Sequence, residues 1–252
     1  MRFEHPSQFH IPQLRSLWKA AFGDEDAYLD LFFRVAFSPD RCRCVMEQDR
    51  VLAALYWFDV SCDGAPMAYL YAVATDPAAR GRGLCRALME DVKQLLARRG
   101  CTGILLKAAD EGLRQMYQRM GYTPCTTICA QPFAAADRAV HLQKIDTAEY
   151  ARLRRSLLPM GSVLQEGITL DFLAEQAQFY RGNGFLAAVS VYDGDFFCHE
   201  LLGDIGAAPG ILRALAFDRG VFRYPGDCEA FASFCPLVPG CPVPRYFGLS
   251  LE

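Results

Sequence analysis

Residues 1–5 read as a short strand, and from Phe9 onward Ile11, Leu14, Leu17, Trp18, Ala21 and Phe22 recur at the spacing of one helix face. Gly23 ends that run. The acidic turn Asp24-Glu25-Asp26 then opens a second helix carrying Tyr28, Leu29, Leu31, Phe32, Phe33 and Val35. Here the period changes. Residues 43–47 read as a strand, Gln48-Asp49-Arg50 as a tight turn, 51–61 as a long apolar strand stopped by Cys62-Asp63-Gly64-Ala65-Pro66, and 67–75 as a further buried strand. A helix over 83–99 follows, with Leu84, Ala87, Leu88, Val92, Leu95 and Leu96 on one face and Gly100 as its C-cap. After it come an apolar strand over 103–108, a helix over 111–120 and extended chain from Tyr122. Strand, helix, strand in that order predicts a parallel crossover within an otherwise antiparallel sheet.

The Ala/Asp/Pro-containing stretch 131–138 marks an expected boundary between two halves, 1–132 and 139–252. The second half repeats the order of elements without repeating the sequence. It offers a strand over 140–145, a helix from Thr147, another near Thr169 or Leu170, and an apolar hairpin over 185–192 and 195–202 around Asp193-Gly194. A helix containing Ile211, Leu212, Leu215 and Ala216 comes next, then a stretch over 225–244 rich in Pro, Gly and Cys, and a closing strand over 246–251.

Composition narrows the class. Of 252 residues, 26 are Lys or Arg and 29 are Asp or Glu, a formal charge of −3 that excludes a polybasic surface for nucleic acid or membrane. With 52% hydrophobic and 22% charged residues the chain is an ordinary globular one. No apolar run reaches the ~18–20 residues of a spanning helix, and the start Met1-Arg2-Phe3-Glu4-His5-Pro6 has no signal-peptide core, so the expected location is cytoplasmic. The 11 cysteines are odd in number and contain no CxxC pair. Against a zinc site built from Cys42, Cys44, Cys62 and His5, the expectation is reduced cysteines serving as small apolar side chains, and no metal.

Candidate chemistry gathers in Val73-Ala74-Thr75-Asp76-Pro77-Ala78-Ala79-Arg80-Gly81-Arg82-Gly83-Leu84-Cys85-Arg86, where a buried strand runs through a Gly- and Arg-rich turn into a helix. Such a turn faces the helix's first free amides, an anion cradle. Arg80, Arg82 and Arg86 crowd the end of the helix that its dipole makes unfavourable for cations, an arrangement that a phosphate-bearing ligand would balance. The segment fails the Rossmann pattern at Arg86 and has no Walker A G-K-[ST]. It resembles instead the acetyl-CoA motif of the GNAT superfamily of N-acetyltransferases, Q/R-x-x-G-x-G/A, read as Arg80-x-x-Gly83-x-Cys85 with cysteine at the last position. Downstream, Tyr117-Gln118-Arg119-Met120-Gly121-Tyr122 resembles the family's Tyr-x-x-x-Gly-[Phe/Tyr] signature. The Leu70-Tyr71-Ala72-Val73-Ala74-Thr75 lead-in, Gly23-Asp24-Glu25-Asp26 and Tyr246-Phe247-Gly248-Leu249 are similar to bacterial tandem-GNAT proteins and, more distantly, to the enhanced-intracellular-survival aminoglycoside acetyltransferases.

The resemblance implies an α+β GNAT fold with a mixed, mostly antiparallel sheet flanked by helices, followed by a second, degenerate GNAT-like half. It implies acetyl-CoA as cosubstrate and transfer of the acetyl group to a primary amine of a small molecule or peptide. Val73, Ala74 and Thr75 would pair with the pantetheine arm, Arg80, Gly81, Arg82, Gly83, Leu84, Cys85 and Arg86 would hold the pyrophosphate, and Tyr117 would be the acid for the departing thiolate. From the residues alone, Leu113, Met116, Tyr117 and Met120 form a helical stripe in which Tyr117 is core. Tyr69 stands where histone-type relatives carry a glutamate base, which leaves Asp24, Glu25, Asp26 or Glu252 as candidates. The counterpart segment Gly203-Asp204-Ile205-Gly206-Ala207-Ala208-Pro209-Gly210 lacks the arginines, so one cofactor site per chain is expected. A homodimer is compatible with all of this, and the alternative function is a non-catalytic acyl-CoA-binding regulatory protein.

Overall fold

The computed structural model describes residues 1–251. Strands and helices alternate as β1 (Arg2–Glu4), α1 (Ile11–Phe22), α2 (Asp26–Val35), β2 (Cys42–Glu47), β3 (Arg50–Cys62), β4 (Ala65–Thr75), α3 (Leu84–Arg98), β5 (Gly103–Leu106), α4 (Glu111–Gln118) and β6 (Thr123–Pro124). They continue as β7 (Thr127–Ala134), β8 (Gln143–Ile145), α5 (Thr147–Leu157), β9 (Val163–Leu164), α6 (Ile168–Ala174), β10 (Gln178–Gly182), β11 (Phe185–Tyr192) and β12 (Asp195–Gly203). The last are α7 (Ala208–Ala214), β13 (Arg219–Pro225), β14 (Glu229–Ala230) and β15 (Ser233–Pro236).

The chain divides into two compact units, each discontinuous: Met1–Thr123 with Ser233–Cys241, and Pro124–Ala232 with Pro242–Glu252. The first sheet runs β1-β2-β3-β4-β5-β15-β6 and the second β8-β10-β11-β12-β13-β7-β14. Within each, one pair is parallel, β4 with β5 across α3 and β12 with β13 across α7, and the pairs preceding it are antiparallel. This is the mixed, mostly antiparallel α+β arrangement in two similarly ordered halves that the order of elements predicts. The expected halves 1–132 and 139–252 are continuous, whereas here β15 of the first sheet comes from residues 233–236, and β7 of the second begins before the expected boundary. The boundary signal at 131–138 covers the second half of β7 and the stretch after it, and β7 pairs with β13 from Ile128 to Ala134.

In the first unit, β3 and β4 are covered on both faces, which explains their near-continuous apolar runs. Leu55, Trp57, Ala68 and Leu70 pack against Leu84, Leu88, Met89, Val92 and Leu96 of α3. The opposite face is aromatic: Trp18 of α1 lies 4.6 Å from Phe32, 5.2 Å from Tyr56 and 5.6 Å from Tyr71 between ring centroids.

Two expectations need correction. Cys129 on β7 and Cys228 form a disulfide across a separation of 99 residues, so the cysteines are not all reduced. Spacing could not reveal the pair, because it depends on β7 joining β13 and on the next turn folding Gly226 against the Cys129 sulfur. The other cysteines are free, most of them buried as apolar side chains. The stretch 246–251 is buried but is not a sheet strand: Tyr246 makes one isolated bridge to Ser162. Gln165 takes the part of a neighbouring strand, accepting from Leu249 N–H at 3.3 Å and donating to the Leu249 carbonyl. Among the described residues no helix is long and apolar enough to cross a membrane.

Candidate functional site

The site begins where β4 loses a neighbour. β4 pairs with β5 only over Met67–Tyr69, and no strand lies beside 70–75 on that side. A bulge adds to the divergence: Ala54 faces Ala74 and Tyr56 faces Tyr71, so β4 carries an extra residue, with Ala72 at φ +48°. The backbone of Val73, Ala74 and Thr75 therefore has no strand beside it on that side. Sequence reasoning placed these residues on the strand but missed the bulge, since alanine carries no turn preference that would announce a positive φ.

This unpaired edge leads to the helix start. A short 3-10 turn, Pro77–Ala79, succeeds β4, and then Arg80-Gly81-Arg82-Gly83 leads into α3. Gly81 and Gly83 have φ +79° and +74°, and an added Cβ at either would meet nothing within 4 Å. The loop is thus open to solvent and left-handed at two points, a conformation that glycine adopts without strain. Gly83 is the N-cap and offers no side-chain acceptor, and the first turn of α3 holds no acidic residue. The amide donors of Leu84, Cys85 and Arg86 consequently lack the intrahelical partners that later residues find. Leu84 is buried in the core, so only its backbone is available, while Arg80, Arg82 and Arg86 are exposed. Arg80 Nε reaches back to the Thr75 carbonyl at 3.4 Å, and Arg82 pairs with Glu47 at 3.0 Å, a partner no local motif indicated. That pair holds the exposed Glu47 carboxyl below the usual carboxylate range.

Cys85 is half-buried, and burial pushes its thiol up. Tyr117, on α4, is 7% exposed and belongs to the same hydrophobic cluster as Leu84 and Leu88. Its ring meets Tyr122 edge-on at 6.0 Å. Burial, and then the neighbouring Cys85, push its phenol far above the ordinary tyrosine value, so it stays protonated at neutral pH. The base candidates fare unevenly. Tyr69 is 2% exposed and stacks on Phe58. Asp24 accepts from Trp18 Nε1 at 2.7 Å, and Asp26 is held low in pKa by its hydrogen bond and ion pair with Lys19. Glu25 is the N-cap of α2 without a side-chain cap bond, and Glu252 lies outside the described residues.

The second unit's counterpart is closed. α7 starts at Ala208 directly after the turn Ile205–Ala207, with no intervening glycine loop, and is only seven residues long. Arg138 and Val140 fill the space beside Gly206 and Gly210, where a Cβ would come within 2.5 Å of their side chains. Where β12 diverges from β13, Glu200 is fully buried and takes hydrogen bonds from Arg154 Nε at 2.6 Å, Tyr150 at 3.0 Å and Tyr246 at 3.1 Å.

Comparison with known proteins bears on the fold. Residues 11–122 match the model of the acetyltransferase (GNAT) family. The mycothiol acetyltransferase of Beutenbergia cavernae is 32% identical over 124 residues, covering 40% of this chain and 42% of that enzyme, so the chain matches less than half of this relative's length. The GCN5-related N-acetyltransferase of Anabaena variabilis superposes over 94% of this chain and 73% of its own, with a TM-score of 0.77 at 14% identity. A tandem GNAT protein from the clavulanic acid biosynthesis pathway covers 95% of this chain and 99% of its own, with a TM-score of 0.58 at 14% identity. Both likenesses are of fold, and they extend through both units. Over residues 11–122 the chain thus matches the model of the acetyltransferase (GNAT) family, and across both units it shares the fold of these solved structures.

Proposed function

We propose that the chain is an N-acetyltransferase that moves an acetyl group from acetyl-CoA to a primary amine of a small molecule or peptide. The observation that carries the reading is the combination at one end of β4: a strand edge without a neighbour, then an open glycine loop and an uncapped 15-residue helix. A linear ligand with an amide-bearing arm and a diphosphate fits that sequence of features. The arm would pair with the backbone of Val73, Ala74 and Thr75, and the diphosphate would meet the amides and guanidinium groups of 80–86. Cys85 stands in place of a smaller residue and is half-buried, while the loop before it has free space at Gly81 and Gly83.

Acetyl-CoA supplies an acyl group already activated as a thioester. The amine nitrogen forms the new C–N bond as the C–S bond breaks, the electron pair leaves on sulfur, and the ammonium proton is lost to solvent or to a carboxylate. Backbone N–H groups near the bulge are the donors available for the developing oxyanion. Tyr117 holds at Oη the proton that the thiolate takes up.

A second reading, acyl-CoA binding without turnover, draws on one observation: Tyr117 is packed in the core, and its raised pKa makes it a weaker acid than an exposed phenol. Calorimetric titration with acetyl-CoA and CoA, together with thiol-release assays over primary amines, tests both. Binding with turnover is the expected result. Binding without turnover on any amine selects the second reading, and no binding removes the cradle.

A further inference from the structure

The turn between β4 and the glycine loop is tied more tightly than the loop itself. Asp76 is its N-cap: its carboxylate accepts from Ala78 N–H at 2.9 Å and from Arg50 Nη2 at 2.6 Å. Its backbone N–H donates to the Leu52 carbonyl at 2.8 Å, and its carbonyl accepts from Ala79 N–H at 2.8 Å. Ala79 in turn is anchored in the core against α3. The glycine loop beyond Ala79 is held through exposed arginine side chains instead, Arg80 to the Thr75 carbonyl at 3.4 Å and Arg82 to Glu47 at 3.0 Å, and contains two left-handed glycines.

The second unit contains the same device. Asp204 caps the turn Ile205–Ala207, accepts from Gly206 N–H at 2.9 Å and from Arg138 Nη2 at 2.7 Å. Its backbone N–H donates to the Gly184 carbonyl at 2.8 Å and its carbonyl accepts from Ala207 N–H at 3.1 Å. All four bonds have their counterparts around Asp76. Only the junction with the helix differs, because Arg80-Gly81-Arg82-Gly83 stands between turn and helix in the first unit and nothing does in the second. The aspartate turn is therefore a common part of the fold, and only in the first unit is a ligand loop mounted on it.

We propose that Asp76, held by Arg50, is a positioning residue for the acyl-CoA diphosphate: it fixes the base of the glycine loop so that the amides and arginines of 80–86 converge on one place. This rests on reading that loop as the acyl-CoA site. Asp76 touches no reacting atom. Without its carboxylate the Ala78 N–H and Arg50 lose their acceptor, and the loop samples orientations that a ligand must then restrict.

The test measures CoA affinity by calorimetry, the kinetic constants of the full chain, and thermal midpoints. Asp76→Ala should raise Kd for CoA and KM for acetyl-CoA together by about 10-fold, the effect of losing a good N-cap, with kcat and the amine KM unchanged. Asp76→Asn, which keeps an acceptor for Ala78 N–H, should recover most of that loss, and Arg50→Ala should fall between the two. Asp204→Ala is the internal control: it removes the same turn where no loop is mounted, and should lower the thermal midpoint while leaving CoA affinity alone. Should Asp76→Ala lower only the midpoint, or Asp204→Ala weaken CoA equally, the positioning role is wrong. If Asp76→Ala does not fold, an unchanged Kd in both Asp76→Asn and Arg50→Ala overturns the role just as well. Failure of the unmutated chain to bind CoA refutes the acyl-CoA reading itself, a result distinct from either.

Discussion

Tyr117 shows how one side chain can satisfy two demands at once. Its ring fills a place in the core beside α3, and its burial keeps the phenol protonated, the form in which an acid must wait. A structural role and a proton-donating role differ in what removal of the hydroxyl alone does. Tyr117→Phe keeps the ring and its packing. As an acid, the residue should cost turnover about 100-fold when its oxygen is removed, with CoA affinity unchanged within experimental spread, as measured by thiol release and calorimetry. Equal turnover in the variant would leave Tyr117 as a core residue and nothing more. Gly83 illustrates the opposite case, a residue that matters through what it lacks. At φ +74°, with nothing near its missing Cβ, it resists substitution through backbone strain and not through crowding.

At the scale of elements, the two units diverge at matching points and use them differently. Both β4 and β12 carry a bulge where they part from their parallel neighbour, at Ala72 in one and beside His199 in the other. The first opens an edge, while the second is packed with polar groups. His199 is 8% exposed, shares a 2.8 Å contact with Ser190, and is pushed down to about 4 by burial and by nearby Arg223. The unfolded chain takes up this proton near the ordinary value of 6.5 and the folded chain only near 4. The contribution to stability is thus full above pH 6.5 and is lost as pH falls toward 4, about 3 kcal/mol in all. Urea denaturation at pH 7 and pH 4.5 should show that the unmodified chain loses more stability over this interval than His199→Gln does; parallel losses would count against it. Where periodicity is strong, such elements were legible: the helix expected over 83–99 is Leu84–Arg98, and the hairpin around Asp193-Gly194 is β11 and β12. β10 and β13 escaped notice because Gln178, Arg181, Arg219 and Arg223 interrupt their apolar residues, and β15 because it sits in a Pro- and Cys-rich stretch. The glycine- and arginine-rich turn into α3 was legible because it is local in sequence. The bulge, the Glu47 partner of Arg82 and the disulfide were not, because each is made by residues distant along the chain.

For the whole molecule, the exchange of strands decides what can fold alone. β5 has β15 as its outer neighbour, in antiparallel register from Ser233↔Leu106 to Pro236↔Gly103. Gly103 is pressed so closely by the Phe234 ring that a Cβ there would sit 2.2 Å from it. A fragment ending at residue 132 contains every residue of the expected first half, yet it lacks this strand and leaves the edge of β5 and the Phe234 site uncovered. Its second-unit counterpart β7, meanwhile, would trail from the fragment without β13 to pair with. The compact unit is 1–123 with 233–241, whose junction is short in space because Thr123 Oγ1 donates to the Phe234 carbonyl at 3.5 Å. Joining these two segments through a short glycine-rich linker should give a protein with a cooperative thermal transition, while 1–132 alone should melt without one and bind a hydrophobic dye. A cooperative transition of equal midpoint in 1–132 would show that β15 adds nothing to the first unit. The distinction bears on the proposed acyl-CoA site, since α3 crosses from β4 to β5, and a frayed β5 would loosen β4 where it leads into Val73, Ala74 and Thr75.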